Sequence, residues 1–204
     1  RVAIVEWYVQ HGNGTEAIYY DRSDVLYVSL HQARHYPGTG GNEEIGTGAG
    51  EGYTVNVPLP AGCGRLEYFR ALDELVVPVL EQYAPELVIV SAGFDGHHRD
   101  PLAGMLLDGS AYYGFTTRLL ELAGRTAQGR IVHLLEGGYD LQGLTEGVDG
   151  VLRALAGDPD PATEPADTSR PEEAAFGGRA DELAAVSVRS TASALSSVWK
   201  PGIE

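Results

Sequence analysis

The chain has 204 residues, 43% of them hydrophobic and 21% charged, with 14 basic against 29 acidic side chains and a formal net charge of −15. That size and composition suit a globular domain with a real core, and the acidic balance lacks the basic stripe that nucleic-acid binding requires. No apolar run reaches the ~18–20 residues of a membrane span. No basic leader precedes the first apolar run, and a single cysteine, Cys63, excludes an internal disulfide and fits a reducing compartment. A cytoplasmic protein without nucleic-acid or membrane partners is the expectation.

Four short apolar runs read as buried strands: VAIV (2–5), VLYVSL (25–30), LVIVSA (87–92) and IVHLLE (131–136). Their Val, Ile and Leu content without strict alternation suits a parallel sheet covered on both faces. The first run continues as VEWYVQHGNGT (5–15). On an extended strand this puts Glu6, Tyr8 and Gln10 on one face and Val5, Trp7 and Val9 on the other. A polar row at the end of a buried strand, followed by a Gly-rich turn, is the usual place for a site in an α/β protein. The same parity places His11 on the opposite face, as a satisfied, partly buried histidine. HGNG (11–14) reads as a turn. GTGAGEG (46–52) lacks the Lys-Ser/Thr of a phosphate-binding loop and reads as a flexible, close-packed loop.

Apolar residues at helical spacing mark residues 65–83, 109–124 and 141–155, with Asp108 or Ser110 as N-cap of the second. Strands alternating with helices imply a layered α/β fold. SAGFDGHHRDP (91–101) and LEGGYDL (135–141) repeat the strand-then-turn arrangement of the first site segment. Residues 157–180 are rich in proline and acids and read as a solvated linker. A last helical pattern over 181–199 ends at Pro201-Gly202 and is expected to pack back on the body. The division is therefore 1–157, a linker over 158–180, and 181–204.

SAGFD and EGGYD, taken with SLHQ (29–32), YPGTG (36–40), GTGAGEG and VNVPLP (55–60), resemble the zinc-dependent histone deacetylase and acetylpolyamine amidohydrolase family. The resemblance runs from Arg1 to about Gly157. It implies the arginase–deacetylase fold, a parallel sheet with helices on both faces and long loops at its carboxyl edge. It also implies that this chain is the C-terminal portion of the domain, the front part with its tandem acid–base histidines being missing. An acetylated lysine or polyamine is the substrate class implied, and zinc the cofactor.

Residue by residue, the resemblance makes Asp95 the third zinc ligand. The first two ligand positions, an Asp and a His in the family, hold Tyr8 and Gln10. Tyr139 matches the tyrosine that donates to the oxyanion, with Gly137 and Gly138 allowing close approach of the backbone. Tyr36 matches the aromatic wall of the acyl-lysine tunnel, and Leu102 lines the same tunnel or is an ordinary core leucine. Glu6, Ser29 and Leu30 match positions around a structural monovalent cation, potassium, with a bare core strand as the alternative. His97-His98 is tandem but falls in a variable loop and reads as a solvated pair.

A phenol with an ordinary pKa of about 10 is neutral at pH 7, and an amide oxygen is a weak zinc donor beside imidazole. Catalytic zinc uses three protein ligands and a water. Zinc is therefore expected to be absent or weakly held, and the deacetylase activity impaired or lost. Three other readings stay open: an active deacetylase with a rearranged site using Asp95, Glu6 and a nearby His; a non-catalytic acyl- or cation-binding or scaffold protein; and a decaying gene product.

Overall fold

The apolar runs form five parallel strands: β1 (Val2–Glu6), β2 (Val25–Gln32), β3 (Thr54–Leu59), β4 (Leu87–Ala92) and β5 (Ile131–Leu135), in the spatial order β3-β2-β1-β4-β5. This computed structural model describes residues 1–161 and 177–200; most of the expected linker lies outside the described residues. β1 is the central strand, in register with β2 through Glu6–Ser29 and with β4 through Glu6–Ser91. Three polar side chains thus meet at the carboxyl end of the sheet. β3 was not expected as a strand, because Pro58 interrupts its apolar run. Its edge position is the place where proline is tolerated in a sheet.

The expected helix over 65–83 is continuous but not uniform. It runs as α2 (Arg65–Ala71), a π turn (Leu72–Val76) and α3 (Val77–Tyr83), with Pro78 directly after the π turn. A short helix, α1 (Asn13–Tyr19), begins inside HGNG, which reads only as a turn in the sequence. α4 (Gly109–Thr126) is capped by Asp108, which accepts the Ala111 N–H at 2.8 Å. α5 (Leu141–Ala156) is capped by Asp140, which accepts the Gly143 N–H at 2.7 Å. Among the described residues no helix is long and apolar enough to cross a membrane.

Val5, Trp7, Val28 and Val90 point into one continuous core with Tyr68, Leu72, Leu75, Tyr112 and Phe115 of the helices. Trp7 contacts the rings of Phe115 and Tyr112 with centroids 5.4 and 6.5 Å apart. The other face is less evenly covered. There Tyr27 and Asn56 are buried, while Val132 and Leu134 of β5 are exposed, so an apolar run alone overstated the burial of that strand.

Helix α6 (Gly177–Leu195) lies against β3 and α2. Its Ala184, Val188 and Leu195 enter the core. Thr191 Oγ1 donates to the Asn56 carbonyl at 2.7 Å, and Asn42 Nδ2 donates to Thr191 Oγ1 at 2.7 Å. Beyond the helix, Trp199 donates from Nε1 to the Gly52 carbonyl at 2.6 Å and packs edge-on against Tyr53 and Tyr83. Trp199→Ala removes that bond and most of the ring contacts. It is expected to destabilise the chain by about 3–5 kcal/mol, read from equilibrium denaturant unfolding; a loss within about 0.5 kcal/mol, the surface range, would show that α6 is not held this way.

Candidate active site

Tyr8 sits just beyond the end of β1, where the chain leaves the sheet between the β4 and β5 loops. Its ring is pressed against two backbones that carry no side chain. A methyl group added at Gly93 would come within 2.3 Å of Tyr8 Cδ2, and one at Gly137 within 2.6 Å of Tyr8 Cε2. The two hydroxyls of Tyr8 and Tyr139 lie 2.9 Å apart and share a hydrogen bond. Burial, that bond and the nearby charge of Asp95 all push the Tyr8 phenol well above its ordinary range. Tyr8 is therefore a neutral, hydrogen-bonded phenol at physiological pH.

Asp95 is buried below it. Its Oδ1 accepts the Val9 N–H at 3.1 Å. Desolvation raises its pKa to about 7; the charges of Asp100 and Glu6 add to the rise, and the Val9 bond opposes it. Gln10 is half-buried. The three positions implied to hold zinc thus offer a neutral phenol, a carboxamide and one carboxyl that is readily protonated. Among the described residues no group of three or more His, Cys, Asp or Glu side chains is placed to hold a metal ion. This donor set does not fit zinc.

Glu6 does not supply the missing ligand. Its Oε2 accepts the Tyr27 hydroxyl at 2.5 Å and its Oε1 the Ser91 hydroxyl at 3.4 Å, which ties the carboxylate to β2 and β4. Burial raises its pKa, with the Tyr27 bond working against the rise. Ser29 and Leu30, the other implied monovalent-cation positions, are buried on β2. Ser29 Oγ lies 2.9 Å from His31 Nδ1.

Two histidine expectations are corrected. His11 is fully buried and lies on the Glu6 side of the sheet, not the opposite one, with its ring 6.3 Å from that of Tyr27. Strand parity stops holding because β1 ends at Glu6. His11 Nε2 is 3.0 Å from Glu16 Oε2, and Nδ1 is 2.8 Å from Thr39 Oγ1. Asn56 Nδ2 also donates to Glu16, at 2.6 Å, so β3 and α1 meet on one buried carboxylate, and His11 links it to Thr39 of the YPGTG loop. His97 is likewise not solvated. It is buried, its Nε2 lies 3.1 Å from Glu146 Oε2 on α5, and His98 Nδ1 donates to the Leu107 carbonyl at 3.2 Å. His97 fastens the loop to α5 and His98 fastens it to the segment before α4, so both are engaged in structure.

The implied tunnel residues lie at the surface. Tyr36, Leu102 and Tyr139 are all more than half exposed. Gly138, before Tyr139, has φ of +146°, outside what side-chain-bearing residues readily adopt. Sequence reasoning missed Asp100, which is buried between these walls. Its Oδ1 accepts the Leu102 N–H at 3.0 Å and its Oδ2 the Tyr139 N–H at 2.7 Å. The first bond is an Asx turn, and an Asp followed by Pro is its signature; the second, 39 residues away, left no local signal.

Asp95 gives a pH signature. Its folded-state pKa of about 7 stands above the ordinary 3.8. Between those values the unfolded chain has released the proton and the folded chain has not, so stability falls as pH rises through that window. Asp95→Asn is expected to be more stable than the unaltered chain at about pH 8, by roughly 2–4 kcal/mol, with the difference closing by about pH 4. Paired denaturant melts across that range measure it, and a difference that does not vary with pH would contradict the assignment.

Residues 1–155 match the histone deacetylase domain family. A probable deacetylase of Archaeoglobus fulgidus is 42% identical over 158 residues, which are 77% of this chain and 44% of the relative. A histone deacetylase-like amidohydrolase of Pseudomonas aeruginosa is 46% identical over 140 residues, 68% of this chain and 37% of the relative. The chain thus spans less than half the length of these curated relatives. The solved structure of the histone deacetylase Clr3 superposes with a TM-score of 0.83 at 36% identity, covering 98% of this chain and 32% of that one. The crystal structure of the HDA15 HD domain gives 0.81 at 32% identity, covering 98% and 51%. The five-stranded parallel sheet is accordingly part of a deacetylase-type α/β fold, and the chain belongs to the histone deacetylase family.

Proposed function

We propose that this chain is a deacetylase-family domain whose hydrolytic activity is impaired or lost, and which keeps a site for an acyl-lysine or acetylpolyamine side chain. The observation that carries this reading is the seating of Tyr8. Its ring takes the space between Gly93 and Gly137, and its hydroxyl engages Tyr139, the implied oxyanion donor. One substitution thus removes a ligand and occupies a catalytic hydroxyl. Amide hydrolysis in this family needs a metal to polarise the carbonyl and activate water, and the donor set at Tyr8, Gln10 and Asp95 is poor for that purpose. The exposed rings of Tyr36 and Tyr139 beside Leu102 still offer an apolar, aromatic lining of the kind that flanks an aliphatic chain. An active, rearranged centre is disfavoured because Glu6 is held by Tyr27, and His97 is held beside Glu146.

Zinc content tests the reading directly. After incubation with zinc and removal of the excess, the unaltered chain is expected to retain well below one zinc per molecule by elemental analysis. Tyr8→Asp with Gln10→His is expected to bind zinc more tightly by more than about 100-fold, the upper end of what outer-sphere partners alone contribute. Stoichiometric zinc in the unaltered chain would overturn the proposal.

A further inference from the structure

We propose that Asp100 is the positioning residue of this site, setting the distance between the Leu102 wall and Tyr139 and so the width of the opening that takes an acyl chain. The inference rests on the acyl-binding reading above for its ligand, but its geometry stands independently. Asp100 is 6% exposed, yet both its carboxylate oxygens accept backbone N–H groups, one from its own loop, Leu102 at 3.0 Å, and one from the loop after β5, Tyr139 at 2.7 Å. The Leu102 carbonyl in turn accepts His35 Nε2 at 3.0 Å, which brings in the segment that carries Tyr36. Gly104 N–H donates to Gln32 Oε1 at 2.8 Å and anchors the far end of the same loop to β2. The loops bearing Tyr36, Leu102 and Tyr139 are therefore linked in series, and Asp100 is the link between the last two.

Tyr139 needs such a link. Its side chain is 52% exposed and receives little packing. Gly137 before it is fixed, since its carbonyl accepts the Phe94 N–H at 2.7 Å, but Gly138 then gives the chain its freedom back. Two bonds remain to place Tyr139: its hydroxyl on Tyr8 and its N–H on Asp100. The parallel contact between these loops, Arg99 with Asp140 at 3.5 Å, is about one-third exposed on both partners and is a weak substitute in water. Hydrogen bonds from backbone N–H to a buried carboxylate are among the stronger kind.

The test uses Asp100→Asn and Asp100→Ala in the whole chain. Asparagine keeps the shape but has one acceptor oxygen, so it holds only one of the two N–H groups. In nitrogen-15 spectra without ligand, the Leu102 or Tyr139 amide resonance, or both, is expected to shift upfield in each variant, while the amides of β1 and β4 stay in place. Affinity for a peptide carrying one ε-acetyl-lysine is expected to fall about tenfold or more in Asp100→Ala, and less in Asp100→Asn. Trp199→Ala, which lowers stability far from the opening, is expected to leave that affinity unchanged. Unmoved Leu102 and Tyr139 amides in both variants, or unaltered peptide affinity in Asp100→Ala, would overturn the role of Asp100. If the unaltered chain does not bind the peptide, the acyl-binding reading fails; the two amide resonances still decide for or against Asp100.

Discussion

The hydrogen bond between Tyr8 and Tyr139, made over the bare backbones of Gly93 and Gly137, is the contact around which the carboxyl end of this sheet is arranged. It joins the end of β1 to the loop after β5, across the intervening β4 loop. A ring can reach that far only because no Cβ stands at either glycine. The phenol arrives neutral, and it sits above an Asp95 whose charge is itself costly. A pocket lined in this way favours uncharged groups over a divalent ion. The chain as a whole keeps the fold seen in the Clr3 and HDA15 deacetylase structures.

Behind this floor the molecule uses its polar side chains for construction. Glu16 collects His11 and Asn56, Glu6 takes the Tyr27 hydroxyl, His97 meets Glu146, and Asp100 serves two backbone amides. All but the partly exposed Glu146 are buried, and each buried one would cost stability if its partner were removed. The same satisfaction argues against any of them serving as a metal ligand. A carboxylate already committed to two donors cannot turn toward a metal without leaving those donors unpaired.

Much of the sheet was legible in the residues because buried parallel strands are written as uninterrupted Val, Ile and Leu runs, and the runs at 2–5, 25–30 and 87–92 sit within or on β1, β2 and β4. β3 escaped because Pro58 argues against a strand unless its edge position is known, and α1 escaped because HGNG has the composition of a turn. The site was legible in part. Tyr8 and Gln10 announce themselves as wrong chemistry in a family pattern. Their three-dimensional outcome does not, since the pairing of Tyr8 with Tyr139 spans 131 residues. His11 shows a different limit: alternation is a property of an extended strand, and β1 had already ended. For His97 and Asp100, the partners that decide the matter, Glu146 and the Tyr139 amide, lie on other elements and leave no periodic trace.

Helix α6 is attached by its own side chains rather than by the chain that leads to it. Thr191 binds it to Asn56 of β3, Asn42 ties it to the segment between β2 and β3, Val188 and Leu195 seat it, and Trp199 pins its far end on Gly52. Cleavage of the chain ahead of α6 would therefore leave a helix that still carries its own docking contacts, held by affinity in place of connectivity.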